Sequence, residues 1–244
     1  MNWIGEICPD IIAEIGKRPN PKREPLVPRP CTECGKEFQP DHESVSWCSH
    51  ECTVAHYAKE RRKDFREWAL SSVPTSYRWA RFDAPEFAER VPKRDGIKLA
   101  LDALESRAPR VVIQGGAGDG KTSLAVAMLS RLVDSWTDLR SLPGVFCHSY
   151  RLGLARAQYG LGEGEPPAVL RAMEANILLL DDLGSERQTQ NNAVPDVLFE
   201  RHAEDMVTWI TTGLSAKQIA ERYGDGIARR VFEHAVIINL GKTE

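Results

Sequence analysis

The sequence predicts an α/β protein: a doubly wound parallel sheet of about five strands, preceded by a small separate module. Three observations carry that expectation. The β-branched run Val111-Val112-Ile113 leads through a glycine-rich loop into an apolar helical stretch over residues 124–129. A second apolar run, Ile177-Leu178-Leu179-Leu180, ends in Asp181-Asp182. Ahead of both, four cysteines fall in two close pairs, Cys31 with Cys34 and Cys48 with Cys52.

The first observation is the most specific. Gly115, Gly120, Lys121 and Thr122 satisfy the spacing G-x-x-x-x-G-K-[ST] between a buried strand and a helix, the context a phosphate-binding loop requires. Gly115, Gly116, Gly118 and Gly120, with Ala117 and Asp119 between them, let successive backbone N–H groups converge on phosphates, and the helix that opens at Lys121-Thr122-Ser123 adds its positive dipole end. Lys121 is expected to reach the β- and γ-phosphates of ATP, and the Thr122 hydroxyl to hold Mg²⁺.

The second observation completes the site. Four consecutive apolar residues read as a strand buried on both faces, and its carboxyl edge is where open α/β sheets place ligands. Asp181 is expected in the magnesium shell, and Asp182 to orient the attacking water. Further strands are expected over residues 145–150, 206–210 and 235–240, and helices over 96–107, 168–175, 192–205, 215–222 and 227–233. Thr211 and Thr212 end the strand before Gly213, where their hydroxyls either sense the γ-phosphate or cap the strand end. Cys147 and His148 point to opposite faces of their strand and read as structural.

The cysteine pairs, C-x2-C and C-x3-C, flank a loop at residues 35–47 and suit tetrahedral zinc held by Cys31, Cys34, Cys48 and Cys52. Four thiolates leave no open coordination position, so the module is expected to dock or recognise rather than catalyse. It is too small to bury a core, and metal binding would supply much of its folding free energy. A helix over residues 53–70 follows, carrying Tyr57, Phe65 and Trp68 with Lys59, Arg61, Arg62, Lys63 and Arg66. That pattern can face single-stranded nucleic acid, but Glu60, Asp64 and Glu67 are interleaved, which favours a solvated face. Upstream, residues 1–16 have isoleucines near helical spacing interrupted by Pro9, and Pro19, Pro21, Pro25, Pro28 and Pro30 mark an extended linker. The domain expectation is therefore an N-terminal segment and linker at 1–30, the zinc module with its helix at 31–70, a connector at 71–95 and the ATPase domain at 96–244.

Composition bounds the rest. With 244 residues, 42% hydrophobic and 27% charged, the chain can bury a sizeable core, and no apolar run approaches membrane-spanning length. The N-terminus lacks the basic and apolar regions of a secretory signal, so a cytoplasmic protein is expected. A net charge of −3 gives no global sign of nucleic-acid binding, and six cysteines in such a chain point to metal or redox chemistry before disulfides.

With these motifs in place, the chain resembles the AAA+ ATPases of the DnaC/DnaI helicase-loader and IstB transposition-helper group over residues 73–239. The carriers are Val73-Pro74-Thr75-Ser76-Tyr77-Arg78 leading into Phe82-Asp83, the phosphate loop, Asp181-Asp182-Leu183-Gly184, Thr211-Thr212-Gly213-Leu214-Ser215 and the stretch from Tyr223 to Val231. Relatives commonly end the sensor strand in Asn, where this chain has Gly213, and place a trans-acting arginine where it has Gly226. Arg230 matches the second arginine of that element, while Arg222, Arg229 and Arg201 are candidates for the first. No C-terminal helical lid is expected after the fifth strand.

The resemblance implies a phage-type loader that hydrolyses ATP with Mg²⁺, binds a replicative DNA helicase, delivers it to single-stranded DNA and self-associates through its AAA+ interface. The N-terminal zinc module would grip the helicase. Two alternatives share the motifs: a transposition helper acting on double-stranded DNA and a transposase, and a zinc-dependent interaction module with a weak nucleotide switch.

Overall fold

In this computed structural model, residues 26–160, 162, 164–188 and 192–241 are described. The isoleucine-rich segment at 1–16 and the linker up to residue 25 lie outside them. The described residues divide into two compact units between Glu60 and Arg61, inside a long helix.

In the first unit, β1 (Arg29–Pro30) pairs antiparallel with β2 (Glu37–Phe38). The turn between them is closed by Cys31 N–H to Lys36 O at 2.8 Å and Gly35 N–H to Cys31 O at 2.9 Å. Gly35 has φ +74°, a conformation that favours glycine. The Arg29 guanidinium donates to the carbonyls of His42, Glu43 and Val45, at 2.6 Å for each of the last two. Helix α1 (His50–Ala69) begins three residues before the expected Thr53. Ser49 accounts for the difference: its hydroxyl accepts the Cys52 N–H at 3.3 Å, an N-cap bond that places Cys52 in the first helical turn.

The second unit carries the sheet. Its strands are β3 (Arg110–Gln114), β4 (Val145–His148), β5 (Ile177–Leu183), β6 (Val207–Thr212) and β7 (Val236–Asn239), all parallel in the order β4-β5-β6-β3-β7. Alternate residues enter opposite layers. Val111, Ile113 and Leu179 pack with the second half of α1, helix α3 (Arg94–Glu105) and helix α4 (Lys121–Ser135). Val112, Leu178, Leu180 and Ile210 pack with α5 (Ser149–Ala155), α6 (Pro167–Glu174), α7 (Val194–Ala203), α8 (Ala216–Tyr223) and α9 (Asp225–Phe232). Cover on both faces is why β3 and β5 read as unbroken apolar runs. A single-turn helix α2 (Phe87–Arg90) lies in the connector, where the buried Val73, Ala80 and Val91 belong to the first of these cores.

Two basic residues of α1 serve this packing. Arg62 Nη2 donates to Val133 O at 2.8 Å, and the same guanidinium also bonds the carbonyls of Asp134 and Trp136. These carbonyls lie at and just past the C-terminal end of α4, where Val133 O also accepts the Trp136 N–H at 3.3 Å, and the guanidinium faces the helix's negative dipole end. Arg66 pairs with Asp134. Phe65 and Ala69 are buried beside them, while Arg61, Lys63, Asp64, Glu67 and Trp68 stay exposed, so this half of the helix has one packed side and one solvated side of mixed charge.

Candidate functional site

The site is assembled where β3, β5 and β6 end. β6 lies between the other two, so its last residues stand between the glycine loop and the aspartate pair. After Gln114 the chain makes the loop at 115–120 and enters α4 at Lys121. Gly120 has φ +84°, and a Cβ there would collide with the Arg90 carbonyl oxygen and lie 2.9 Å from Val91 Cγ2. Both the backbone conformation and the close approach therefore exclude other residues. Lys121 Nζ donates to Gly116 O at 2.7 Å, and Gly116 N–H donates to Asp119 Oδ2 at 2.6 Å, so the loop is held closed by its own side chains.

The aspartates owe their placement to a β-bulge. Leu180 pairs with Ile210 and Leu183 with Thr212, so Asp181 and Asp182 together oppose Thr211 alone. Asp182 takes φ +56° to accommodate the extra residue. Asp181 is buried at 3% exposure, while Asp182 is exposed. Asp181 Oδ1 accepts the Thr122 hydroxyl at 2.8 Å and the Thr211 hydroxyl at 2.7 Å. The Thr211 oxygen in turn accepts the Asp182 N–H at 2.8 Å. Burial pushes the Asp181 carboxyl above the usual range, and the two threonine hydroxyls and His148 only partly offset it. Thr122 and Asp181 thus offer hard oxygens side by side at the N-terminus of α4, a donor set that suits Mg²⁺.

The other sequence candidates are placed as follows. Ser123 is buried in the first turn of α4. Thr212 donates to Leu183 O at 2.8 Å and accepts Leu214 N–H at 3.0 Å, so its hydroxyl is a strand-end cap. A Cβ on Gly213 would be 3.7 Å from Gly115 O, so the end of β6 lies beside the glycine loop and carries no side chain there. His148 accepts Tyr150 N–H at 3.3 Å as the cap of α5, and burial pushes the Cys147 thiol up to about 11. Both are structural.

The arginines divide. Arg230 Nη1 donates to Gly226 O at 2.9 Å, and its Cζ lies 4.4 Å from the centroid of Phe199, so it stacks on α7. Arg229 is exposed and pairs with Glu233 at 3.0 Å. Arg201 is corrected as a candidate for presentation to a neighbour: it is 1% exposed and donates to the carbonyls of Ala172, Met173, Ala175 and Val207 and to the Thr208 hydroxyl. It closes the end of α6 from inside. Arg222 is committed to Glu186, with Nε at 3.4 Å from Oε1.

Glu186 is the residue that sequence reasoning missed. Its side chain is wholly buried. Oε2 accepts the Ser149 hydroxyl at 2.8 Å and Gly184 N–H at 3.2 Å, and Oε1 accepts the Tyr223 hydroxyl and Arg222. Burial works to raise its carboxyl, but Tyr223, Ser149 and Arg222 hold it below the ordinary value. The only signal in the sequence was an acid shortly after Asp182, which reads like any polar turn residue.

In the first unit, the sulfurs of Cys31, Cys34, Cys48 and Cys52 lie within 4.8 Å of one another. Cys34 and Cys48 are 3.5 Å apart and Cys48 and Cys52 3.6 Å, close to the edge of about 3.8 Å that four Zn–S bonds of ~2.3 Å impose on a tetrahedron. Burial works to raise the Cys31 thiol, yet the backbone N–H groups of Cys34, Cys48 and Glu33 hold it at about 6. Cys48, beside the sulfurs of Cys34 and Cys52, is pushed up to about 12. A divalent cation among them removes that like-charge penalty, and the soft donor set suits zinc. Trp47 and His56 stack beside the cluster with centroids 4.7 Å apart.

No protein-family model matches the chain, and no curated protein matches it in sequence. Among solved structures it is similar to the DnaC helicase loader, at 21% identity and TM-score 0.52, over 68% of this chain and 99% of that one. It is also similar to DnaI, at 19% identity and TM-score 0.55, over 68% of this chain and 94% of that one. The likeness is one of fold: a P-loop AAA+ sheet, here preceded by a four-cysteine cluster.

Proposed function

We propose that the protein is a cytoplasmic, ATP-dependent helicase loader that binds a replicative DNA helicase and delivers it to single-stranded DNA. One observation carries the reading: Thr122 and Asp181 meet beside a closed glycine loop, in a fold shared with the DnaC helicase loader over 99% of that structure's chain. Lys121 and the N–H groups at 115–123 bind the phosphates of ATP. Thr122 and Asp181 hold Mg²⁺, which supplies charge neutralisation at the phosphates when bound. Asp182, exposed at the bulge next to that pair, orients the attacking water. Arg230 serves a neighbouring subunit's site, and self-association through the AAA+ interface completes it.

The four cysteines hold zinc, and the module they fold docks the helicase, since a closed tetrathiolate site has no position free for catalysis. Among the described residues no helix is long and apolar enough to cross a membrane.

The test compares ATP binding and turnover in Lys121→Ala and Asp182→Asn with wild type, with and without single-stranded DNA. Lys121→Ala is expected to abolish binding, and Asp182→Asn to bind normally and stop turnover. Normal turnover in both would remove the site assignment. Stronger stimulation by duplex than by single-stranded DNA would favour the transposition helper.

A further inference from the structure

Glu186 occupies a position that packing alone does not explain. A large polar side chain is fully buried, and α5 has Gly153 where any Cβ would sit 2.7 Å from Glu186 Cβ. Its carboxylate faces donors on both sides. On one side are Gly184 N–H and Ser149 Oγ, whose single proton is shared between Glu186 Oε2 at 2.8 Å and, at 2.7 Å, the carbonyl oxygen of Asp182, the left-handed residue of the bulge. On the other are Tyr223 and Arg222 at the end of α8, with Arg222 also donating to the Glu186 carbonyl. From there Gly224, at φ +87°, leads directly into α9, which presents Arg229 and Arg230. Gly184 N–H on one side and Arg222 on the other can only donate; an ionised carboxylate accepts from both, whereas an amide offers its oxygen to one side alone.

We propose that Glu186 is a positioning residue that holds the Asp182 turn and the arginine-bearing helix α9 in one register, so that the water-orienting carboxylate and the arginines move as a unit. The role given to Asp182 rests on the ATPase reading above; the mechanical link between the two segments does not. With the link intact, a shift of α9 at a subunit contact displaces the backbone carrying Asp182. With it cut, phosphate binding at 115–123 persists while the turn loses its support.

The test uses the full chain as Glu186→Gln and as the milder Tyr223→Phe, which removes one donor to Oε1. In nucleotide-free protein, Glu186→Gln is expected to speed hydrogen exchange at residues 182–185 and at 225–232 by tenfold or more, and to leave 116–123 unchanged. Unchanged exchange over 225–232 overturns the link whether or not the protein hydrolyses ATP. In turnover, Glu186→Gln is expected to lower kcat at least tenfold with KM for ATP within threefold of wild type, and Tyr223→Phe to lower kcat two- to fivefold. A general loss of packing would raise KM and speed exchange at 116–123 as well, and that outcome would overturn the positioning role. Absence of turnover in wild type would count against the ATPase reading, and the exchange result would still decide the link.

Discussion

Asp181 and Arg201 are both buried, and their neighbours give them opposite uses. Burial works against the ionised form of Asp181. Between the unfolded carboxyl value of about 3.9 and its raised folded value, the unfolded chain releases the proton that the fold retains, so stability falls as pH rises through that window. Asp181→Asn is therefore expected to melt no lower than wild type at neutral pH without nucleotide, and to lose the Mg²⁺ dependence of ATP binding; a lower melting temperature would show that the charge stabilises the fold. Arg201 instead satisfies the carbonyls at the end of α6. Arg201→Ala leaves those acceptors buried and unpaired, an expected loss on the order of 3 kcal/mol in urea denaturation. The place of Lys121 and Thr122 at the start of a helix after a glycine loop was legible from their spacing. Arg201 was not, because an arginine within a helical sequence reads as solvent-facing until the strand beside it is known.

At the scale of elements, the strand cores were legible from apolar runs and their ends were not. β6 extends to Thr212, where the sequence placed its end at Ile210, because Thr211 and Thr212 bond into β5 rather than out to solvent. β4 ends at His148, because that side chain caps the next helix. Helix starts moved for the same reason, as Ser49 shows. The bulge at Asp181 and Asp182 was invisible, since it depends on register against β6. It makes Thr211 a joint between the strands, and Thr211→Val should cost about 1–2 kcal/mol in stability by stranding the Asp182 N–H and removing a donor to Asp181. The helix over 215–222 was read from Ser215, and Ser215 with Gln218 forms a reciprocal cap; Ser215→Ala should cost about 1 kcal/mol. Thermal melts that leave either variant at the wild-type value would contradict these assignments.

For the whole molecule, a four-cysteine module precedes a five-stranded parallel sheet, and the proposed function assigns contact to the first and ATP turnover to the second. The cysteine pairs were legible from spacing alone, and a parallel sheet of about five strands from alternating strands and helices, but the order β4-β5-β6-β3-β7 was not, and the partner was reached only through resemblance. Under the proposed function, nucleotide state governs capture of a replicative helicase through the cysteine module. An ATP-dependent pull-down from host lysate with wild type, Lys121→Ala and a Cys31→Ser/Cys34→Ser variant, bound proteins being identified by mass spectrometry, decides it. A replicative helicase should be recovered with wild type and ATP and lost in both variants. Recovery of a transposase, or of no helicase, would contradict it.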